Sequence, residues 1–273
     1  MTLDFTCPLF VPGNRPERFA KAASSGADAI ILDLEDAVAP DEKDNARASL
    51  SKTFTQLPVI VRVNAIGTPW HDEDIAAIIA LAPTAVLLPK SEAGFALNAL
   101  AERLHAKSIP LIALIETGLG IASARSVAAL NNIERLAFGS IDYCTDLGCA
   151  HTRDALSSAR SELVLASRLA TIIPPIDGVT TSIDELALIQ ADARYAAEIG
   201  FSGKLAIHPR QVAAIHAGFL PTPTEIAWAE KIAETAGGVG MVDGLMVDLP
   251  VRLRAAQILK RSQAQPTEFC KPQ

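Results

Sequence analysis

Eight short apolar runs alternate along the chain with segments of helical period, and this alternation restricts the possible folds more than any other feature. The runs are rich in Val, Ile and Leu, as buried parallel strands are, and the segments between them are rich in Ala and Leu. Eight such units in about 210 residues match the repeat of a (β/α)8 TIM barrel, which we predict over residues 1–220. The runs are LFVP (9–12), AIILDLED (29–36), PVIVRVN (58–64), AVLLPK (85–90), PLIALIET (110–117), RLAFGS (135–140), IPPIDGV (173–179) and GKLAIHP (203–209).

A doubly wound open sheet is the alternative fold for alternating strands and helices. Such a sheet usually carries a Gly-rich phosphate loop after an early strand. The corresponding segment here, VPGNRPERF (11–19), contains a single Gly. The α/β barrel is therefore favoured.

Residues 221–273 are more than a barrel requires. TPTEIAWAEKIAETA (222–236) and VRLRAAQILKRSQ (251–263) are typical of helices, so we predict a C-terminal helical extension. The connection between them contains Gly237, Gly238, Gly240 and Gly244. It is either a hinge, in a segment that closes as a lid or reaches a neighbouring subunit, or a plain surface loop.

Composition excludes several classes of function. The 273 residues are 49% hydrophobic and 20% charged with a net charge of −7, which is typical of a folded globular protein and unfavourable for a nucleic-acid surface. No apolar run approaches the roughly 20 residues of a membrane span, and the start of the chain lacks the pattern of a signal peptide. The four Cys are irregularly spaced and suggest neither disulfides nor zinc. We therefore expect a cytoplasmic protein without a membrane or nucleic-acid partner.

Polar residues follow nearly every predicted strand. Because the active site of a TIM barrel lies at the C-terminal ends of its strands, these residues are candidates for function. So many charges at one barrel mouth need a cation to balance them. The candidates are Asp33, Glu35, Asp36, Arg62, Asn64, Lys90, Glu116, Thr117, Asp142, Asp177 and His208.

Glu116 and Asp142 are the best candidates for metal ligands in this set. Each ends an apolar strand and supplies hard oxygen atoms, which Mg²⁺ prefers; Mn²⁺ is also possible. Arg62 could donate to a carboxylate or to an oxygen that becomes negative during a reaction.

The run AIILDLEDAV (29–38) ends in three carboxylates that cannot all hold one ion. Alternation along a strand sends Asp33 and Glu35 to one face, and sends Asp36 to the other face or into the loop. We therefore expect Glu35 and Asp36 to accept hydrogen bonds from metal-bound water and to steady nearby cations. Asp33 is predicted to be structural.

The opening segment VPGNRPERFAKA (11–22) favours an anionic ligand. Asn14 and Arg15 precede Pro16, a preferred first helical residue, so free N–H groups and a guanidinium face one point. Lys204 could extend this basic patch, whereas His208 would hold geometry or contact a ligand.

With these residues assembled, the chain resembles the citrate lyase β-subunit family, which includes malyl-CoA and citramalyl-CoA lyases. The resemblance spans nearly the whole length. It is carried, in family order, by LFVPGNRPERFAKA, DAIILDLEDAVAPDEKDNAR, VIVRVN, LPK, IALIET, FGSIDYCTDLG, GKLAIHPRQV and DGLMVDLP.

The resemblance implies a Mg²⁺-dependent barrel, a homotrimer or a hexamer, that cleaves a carbon–carbon bond in a 3-hydroxyacyl thioester. Glu116 and Asp142 match the Mg²⁺ ligands, and Arg62 matches the substrate-contacting arginine. Asp248 matches the acid/base aspartate that the tail of a neighbouring subunit delivers. The segments that hold the thioester carrier correspond to Arg15, Lys204, His208 and Pro209.

Four functions remain open at this point. The chain could be a free-standing lyase that cleaves a citramalyl-CoA or malyl-CoA thioester to acetyl-CoA and a 2-oxoacid. It could instead be a citrate lyase β subunit acting on a citryl thioester of an acyl-carrier protein, or a metal-dependent aldolase that forms pyruvate. A non-catalytic scaffold is the fourth reading, which the strand-end residues Glu116, Asp142 and Arg62 disfavour.

Overall fold

Eight parallel strands form one sheet, in chain order, in the computed structural model, which describes residues 3–235, 240–242 and 244–263. Hydrogen bonds between the first and last strands nearly close this sheet into a barrel: Ala206 pairs with Leu9, and the Lys204 N–H donates to the Thr6 carbonyl at 2.8 Å. The predicted TIM barrel is confirmed. The strands are β1 (Pro8–Pro12), β2 (Ala29–Asp33), β3 (Val59–Arg62), β4 (Ala85–Leu88), β5 (Leu111–Ile115), β6 (Ile133–Phe138), β7 (Ile173–Asp177) and β8 (Gly203–Lys204).

Helices follow the strands around the barrel. Short 3-10 turns at Pro16–Arg18, Pro40–Glu42 and Pro209–Gln211 precede three of them. Among the described residues, no helix is both long and apolar enough to cross a membrane. The helices of the barrel are α1 (Phe19–Ala23), α2 (Lys43–Ala48), α3 (His71–Leu81), α4 (Phe95–His105), α5 (Gly118–Ala122), α6 (Ala124–Ala128), α7 (Ser140–Leu147), α8 (Arg153–Leu169), α9 (Leu186–Glu198) and α10 (Val212–Phe219).

Apolar side chains fill the barrel interior. Ile31, Ile60, Leu87, Ile112 and Leu114 belong to one buried cluster contributed by successive strands. A barrel interior filled in this way is a packed core, so ligands bind at the ends of the strands.

Most strands end before the polar residues that the sequence analysis included in them. β2 stops at Asp33, β4 at Leu88 and β5 at Ile115, so Glu35, Lys90 and Glu116 lie in the loops that follow. Backbone in these loops turns away from the sheet, which frees the side chains to converge at the barrel mouth.

The chain divides into two compact units, Met1–Gly218 and Phe219–Gln273. The second unit contains α11 (Pro223–Glu234), the antiparallel strands β9 (Gly240–Val242) and β10 (Leu245–Val247), and α12 (Leu249–Gln263). Ile232, Val247 and Ile258 are among its buried core residues.

Part of the Gly-rich connection of the second unit forms a hairpin, β9 and β10, which the sequence analysis did not predict. Asp243-Gly244 is the Asp-Gly pair that favours a two-residue hairpin turn, and Gly244 has φ of +78°. The predicted hinge residues Gly237 and Gly238 lie outside the described residues.

Arg135 closes the opposite end of the barrel from the strand-end carboxylates. Its fully buried guanidinium donates to the carbonyl oxygens of Leu3, Phe5 and Pro174 and to Ser202 Oγ, at 2.7 to 2.8 Å. Burial lowers the pKa of Arg135 to about 9, so the group stays charged at neutral pH. One side chain thus joins the start of the chain to β6, β7 and the segment before β8.

Replacing Arg135 by Met is expected to lower the free energy of unfolding by about 2–5 kcal/mol, because buried carbonyl oxygens lose their donor. Urea unfolding followed by circular dichroism measures the change. Arg210→Met is the matched control, since Arg210 pairs with Asp184 on the surface and should contribute less than about 1 kcal/mol. Equal stabilities of the two variants would contradict the role given to Arg135.

Candidate active site

Asp33 and Arg62 form the base of the site because β2 and β3 pair in a register that sets them side by side. Arg62 Nε donates to Asp33 Oδ1 at 2.7 Å, and Nη2 donates to Oδ2 at 2.6 Å. Asp33 also accepts the backbone N–H groups of Glu35 and Ala37 at 2.9 and 3.1 Å. Asp33 therefore orients both Arg62 and the loop that carries Glu35, which agrees with the structural role predicted for it.

The third guanidinium nitrogen of Arg62 faces the other two acidic residues of this segment. Nη1 lies 2.9 Å from Glu35 Oε2 and 3.2 Å from Asp36 Oδ2, and the guanidinium stacks 4.9 Å from the centre of the Phe10 ring. Glu35 is buried, whereas Asp36 is exposed. Although burial opposes the charge, the neighbouring carboxylates raise the pKa of Arg62 above its usual range.

Glu116 follows β5 and is only 2% exposed. Its Oε1 accepts the backbone N–H of Lys90 at 2.8 Å. Gly139 lies directly against the carboxylate, where a Cβ would collide with Glu116 Oε2. Burial, and after it the charge of Glu35, raises the pKa of Glu116 to about 8. A buried acid with so high a pKa needs a cation to be ionised at neutral pH.

Asp142 lies in the first turn of α7, and its side chain is 40% exposed. The Lys90 ammonium brings it together with the other two acids: Lys90 Nζ lies 3.1 Å from Glu35 Oε1, 3.9 Å from Glu116 Oε1 and 3.7 Å from Asp142 Oδ2. The structure therefore gathers three of the predicted site residues around one positive charge.

This arrangement fits a divalent metal ion. The Lys90 ammonium already lies among the carboxylates. The buried Glu35 Oε2 is paired with the Arg62 guanidinium at 2.9 Å but accepts no hydrogen bond of good geometry. Within the described residues, no group of three or more His, Cys, Asp or Glu side chains is placed to hold a metal by itself. Mg²⁺ does not need such a group, because it usually keeps several waters and binds one or two carboxylates together with substrate oxygens.

We expect Mg²⁺ affinity to rise with pH between about pH 6.5 and 8.5 and then to level off. Below its pKa of about 8, Glu116 holds a proton that the metal must displace. Calorimetric titrations in buffers of different ionisation enthalpy would show proton release at the lower pH values. Glu116→Gln should bind Mg²⁺ too weakly to release protons at any pH, and an affinity independent of pH in the wild type would contradict the assignment.

Arg15 precedes the 3-10 turn at Pro16–Arg18, and its side chain is half exposed, 3.8 Å from Glu17. Gly13 permits the tight approach of this segment to β2, since a Cβ there would lie 2.8 Å from the Asp33 carbonyl oxygen. The neighbouring Asn14 has a buried Oδ1 without a hydrogen-bond partner. Contact between Arg15 and a thioester carrier stays a prediction.

The residues predicted near β8 have different environments. His208 accepts the Arg210 N–H at 3.2 Å and caps the turn that follows, and Pro209 is exposed. Lys204 is 1% exposed; its ammonium lies 3.2 Å from Asp177 Oδ2 and donates to the Gly178 carbonyl at 2.7 Å. This position gives no support to Lys204 as a carrier contact, because its buried ammonium is already bound to Asp177 and to the Gly178 carbonyl.

Sequence reasoning gave no role in this loop to Lys43, which it placed only among the lysines that could extend the basic patch near Arg15, and gave no role to Lys90. The buried Lys43 ammonium donates to the carbonyls of Leu34 and Glu35 and to Asn64 Oδ1, each at 2.7 Å. It thereby fixes the loop that carries Glu35. Nothing in the local pattern distinguishes Lys43 from a surface lysine, since its partners come from different strands.

Asp248 lies in the second unit, directly before α12. Its Oδ1 accepts the Val251 N–H at 3.2 Å, as an N-terminal helix cap does. The role predicted for it in proton transfer is untested.

Comparison with known proteins gives consistent matches over most of the chain. Residues 7–209 match the family model described as HpcH/HpaI aldolase/citrate lyase. A citrate lyase subunit beta-like protein of Deinococcus radiodurans is 36% identical over 272 residues, covering 92% of this chain and 95% of that protein. A (3S)-malyl-CoA thioesterase of Cereibacter sphaeroides is 34% identical, covering 95% of both chains.

One similar solved structure contains ligands. The protein CitE of Mycobacterium tuberculosis, in complex with magnesium, acetoacetate and coenzyme A, matches with a TM-score of 0.85 and 34% identity. The match covers 94% of this chain and 98% of that one.

Proposed function

Because the chain belongs to the HpcH/HpaI aldolase/citrate lyase family, we propose that it is a Mg²⁺-dependent carbon–carbon lyase. Its substrate would be a 3-hydroxyacyl thioester of the citramalyl-CoA or malyl-CoA type, and its products acetyl-CoA and a 2-oxoacid. The observation that carries the proposal is the convergence of Glu35, Glu116 and Asp142 on one cation beside Arg62. The magnesium and coenzyme A bound to the similar CitE structure support it.

Glu116 and Asp142 would hold the metal, with Glu35 and Asp36 beside them. When bound, Mg²⁺ would polarise the oxygens at the acid end of the substrate and lower the pKa of its hydroxyl group. The burial of Glu116 keeps bulk water from one side of the site and strengthens every electrostatic contact there.

Arg62 would stabilise the negative oxygen that develops when the carbon–carbon bond breaks. The bonding electrons pass to the acetyl fragment, which leaves as an enolate of the thioester. Two of the three guanidinium nitrogens are held by Asp33, so the orientation of Nη1 is set before substrate arrives.

Asp248 would donate the proton that converts the enolate to the acetyl thioester. The proton that leaves the substrate hydroxyl would pass to solvent water, and solvent would reprotonate Asp248 before the next turnover. General-acid catalysis of this kind contributes roughly 10²- to 10⁴-fold. We propose that a neighbouring subunit of a homotrimer or hexamer supplies this residue. The second unit supports such a contact, since it exposes Met241, Met246, Leu249 and Leu253 near Asp248.

A thioester carrier would lie near Arg15, His208 and Pro209. Arg15 has an exposed guanidinium that suits a phosphate of coenzyme A. A citrate lyase β subunit would use an acyl-carrier protein at the same place.

A thioester panel with the purified protein tests the proposal. Citramalyl-CoA, malyl-CoA and citryl-CoA are each incubated with Mg²⁺ or with a chelator, and products are identified by mass spectrometry. We expect metal-dependent release of acetyl-CoA from citramalyl-CoA or malyl-CoA. Activity on a citryl thioester only when an acyl-carrier protein bears it would favour the β-subunit function, and absence of both turnover and Mg²⁺ binding would refute an enzymatic role.

The thioesterase relative makes hydrolysis a second candidate. Hydrolysis of malyl-CoA would give malate and free coenzyme A without a 2-oxoacid. A metal-dependent aldolase would instead cleave a hydroxy-oxoacid without a thioester, and Asp248→Asn would leave its rate unchanged.

A further inference from the structure

Lys90 has a backbone conformation that lysine rarely adopts. Its φ is +49°, in the left-handed region that disfavours residues with a Cβ. Two backbone hydrogen bonds hold this turn: Lys90 N–H donates to Glu116 Oε1 at 2.8 Å, and Ser91 N–H donates to the Leu114 carbonyl at 3.0 Å. Strain of this kind persists where the surroundings impose it, and it is concentrated at functional sites.

The left-handed turn directs two groups of one residue at the same carboxylate. The Lys90 N–H and ammonium lie 2.8 and 3.9 Å from Glu116 Oε1. A glycine would adopt this turn at lower cost but would supply no charge. The left-handed backbone would favour glycine at this position, so a lysine here indicates a role for its charged side chain.

The ammonium occupies the space among the carboxylates that a metal ion would use. It forms a hydrogen bond to Glu35 Oε1 at 3.1 Å and lies within 4 Å of Glu116 and Asp142. Its side chain is 46% exposed, so it can swing toward solvent without unpacking the barrel. A dication and an ammonium at such short separation repel each other strongly, even with the screening of a half-exposed site.

We propose that Lys90 is a positioning residue that acts as the internal counter-cation of this site: its ammonium holds the three carboxylates in place without metal and is displaced when a divalent ion binds. Lys90 thereby lowers the affinity for the free metal ion. This inference rests on the metal site of the proposed function and extends it to the metal-free protein.

The alternative is that Lys90 only holds the carboxylates in the geometry that binds metal. That role predicts the opposite change in metal affinity when Lys90 is replaced. If Lys90 mainly kept Glu35 and Asp142 in a geometry that binds metal, its removal would weaken metal binding. If it competes with the metal, its removal strengthens binding. The sign of the change separates the two roles without any measurement of catalysis.

The test is a titration of each protein with Mn²⁺, followed by electron paramagnetic resonance of the free ion, and with Mg²⁺, followed by calorimetry. Measurements near pH 8.5 limit the competition of protons with the metal for the carboxylates. Substrate is omitted, so that the titrations report binding of the metal ion alone. We expect Lys90→Met and Lys90→Gln to bind either ion about tenfold more tightly than the wild type. Lys90→Arg, which keeps the charge, and Lys107→Met, which removes an exposed lysine of the loop after α4, should bind like the wild type.

Thermal unfolding gives a second readout. Because stabilisation of the folded state by a ligand increases with the logarithm of 1 plus the ratio of the ligand concentration to Kd, a given Mg²⁺ concentration should raise the Tm of Lys90→Met more than that of the wild type. Equal or weaker metal binding by Lys90→Met and Lys90→Gln would overturn the inference.

The same data distinguish failure of this inference from failure of the proposed function. If wild type and Glu116→Gln bind the metal equally, the metal site itself is wrong and both proposals fail. If wild type binds through Glu116 and Lys90→Met binds no more tightly, only the role of Lys90 is wrong.

Discussion

Replacing Glu116 by Gln is expected to abolish the response to Mg²⁺ and to reduce kcat/KM by about 10³-fold or more, because loss of a metal ligand removes several kcal/mol of transition-state stabilisation. The substitution keeps the size of the side chain and the oxygen that can accept the Lys90 N–H. Initial rates at increasing Mg²⁺, with the substrate found in the thioester panel, measure the effect.

Two further variants show whether this effect is specific to Glu116. Glu35→Gln should weaken Mg²⁺ affinity by about 10- to 100-fold without eliminating it, as expected for a group beside the metal ligands. Glu102→Gln should behave like the wild type, since Glu102 is exposed on α4. Equal and total loss at Glu116 and Glu35 would instead make Glu35 a direct metal ligand.

Replacing Arg62 by Lys is expected to lower kcat/KM by about 10²- to 10³-fold, with the loss mainly in kcat. Lysine keeps the positive charge but cannot hold Asp33 with two nitrogens while presenting a third to the substrate. Steady-state kinetics at saturating Mg²⁺ separate the change in kcat from the change in KM.

Arg125→Lys is the matched control for this substitution. Arg125 also forms a two-nitrogen pair with a carboxylate, Glu162, but on the exposed outer surface of the barrel. It should leave both kinetic constants unchanged. A loss of less than threefold in Arg62→Lys would show that orientation by Asp33 does not matter for turnover.

The barrel could be predicted from the sequence because several strands are buried along their whole length and are therefore largely apolar. AIILD and LIALI, for example, coincide with β2 and β5. The ends of the strands could not be predicted as well, since Glu35, Lys90 and Glu116 continue an extended pattern in sequence but lie in loops. The hairpin of the second unit was not predicted, because β9 and β10 have only three residues each and lie in a Gly-rich segment that is typical of a loop.

The candidate site was predictable where a strand end fixes a side chain. Glu116, Asp142 and Arg62 were named because each follows or ends a predicted strand. The structure places Arg62 at the end of β3, Glu116 directly after β5 and Asp142 four residues after β6, in the first turn of α7. The role of Lys90 was not predictable, because it depends on a left-handed backbone conformation that no neighbouring residue signals. Lys204 was placed in a basic patch, although its partner Asp177 on the adjacent strand draws it inside the barrel.

Cleavage of a carbon–carbon bond with a metal ion is the activity proposed for this site. The most direct measurement is the stoichiometry of products from citramalyl-CoA or malyl-CoA in one reaction, with acetyl-CoA, the 2-oxoacid and free coenzyme A all quantified. We predict equal amounts of acetyl-CoA and 2-oxoacid with Mg²⁺, and neither with a chelator. Free coenzyme A together with the intact hydroxy acid, and no 2-oxoacid, would show hydrolysis and contradict carbon–carbon cleavage.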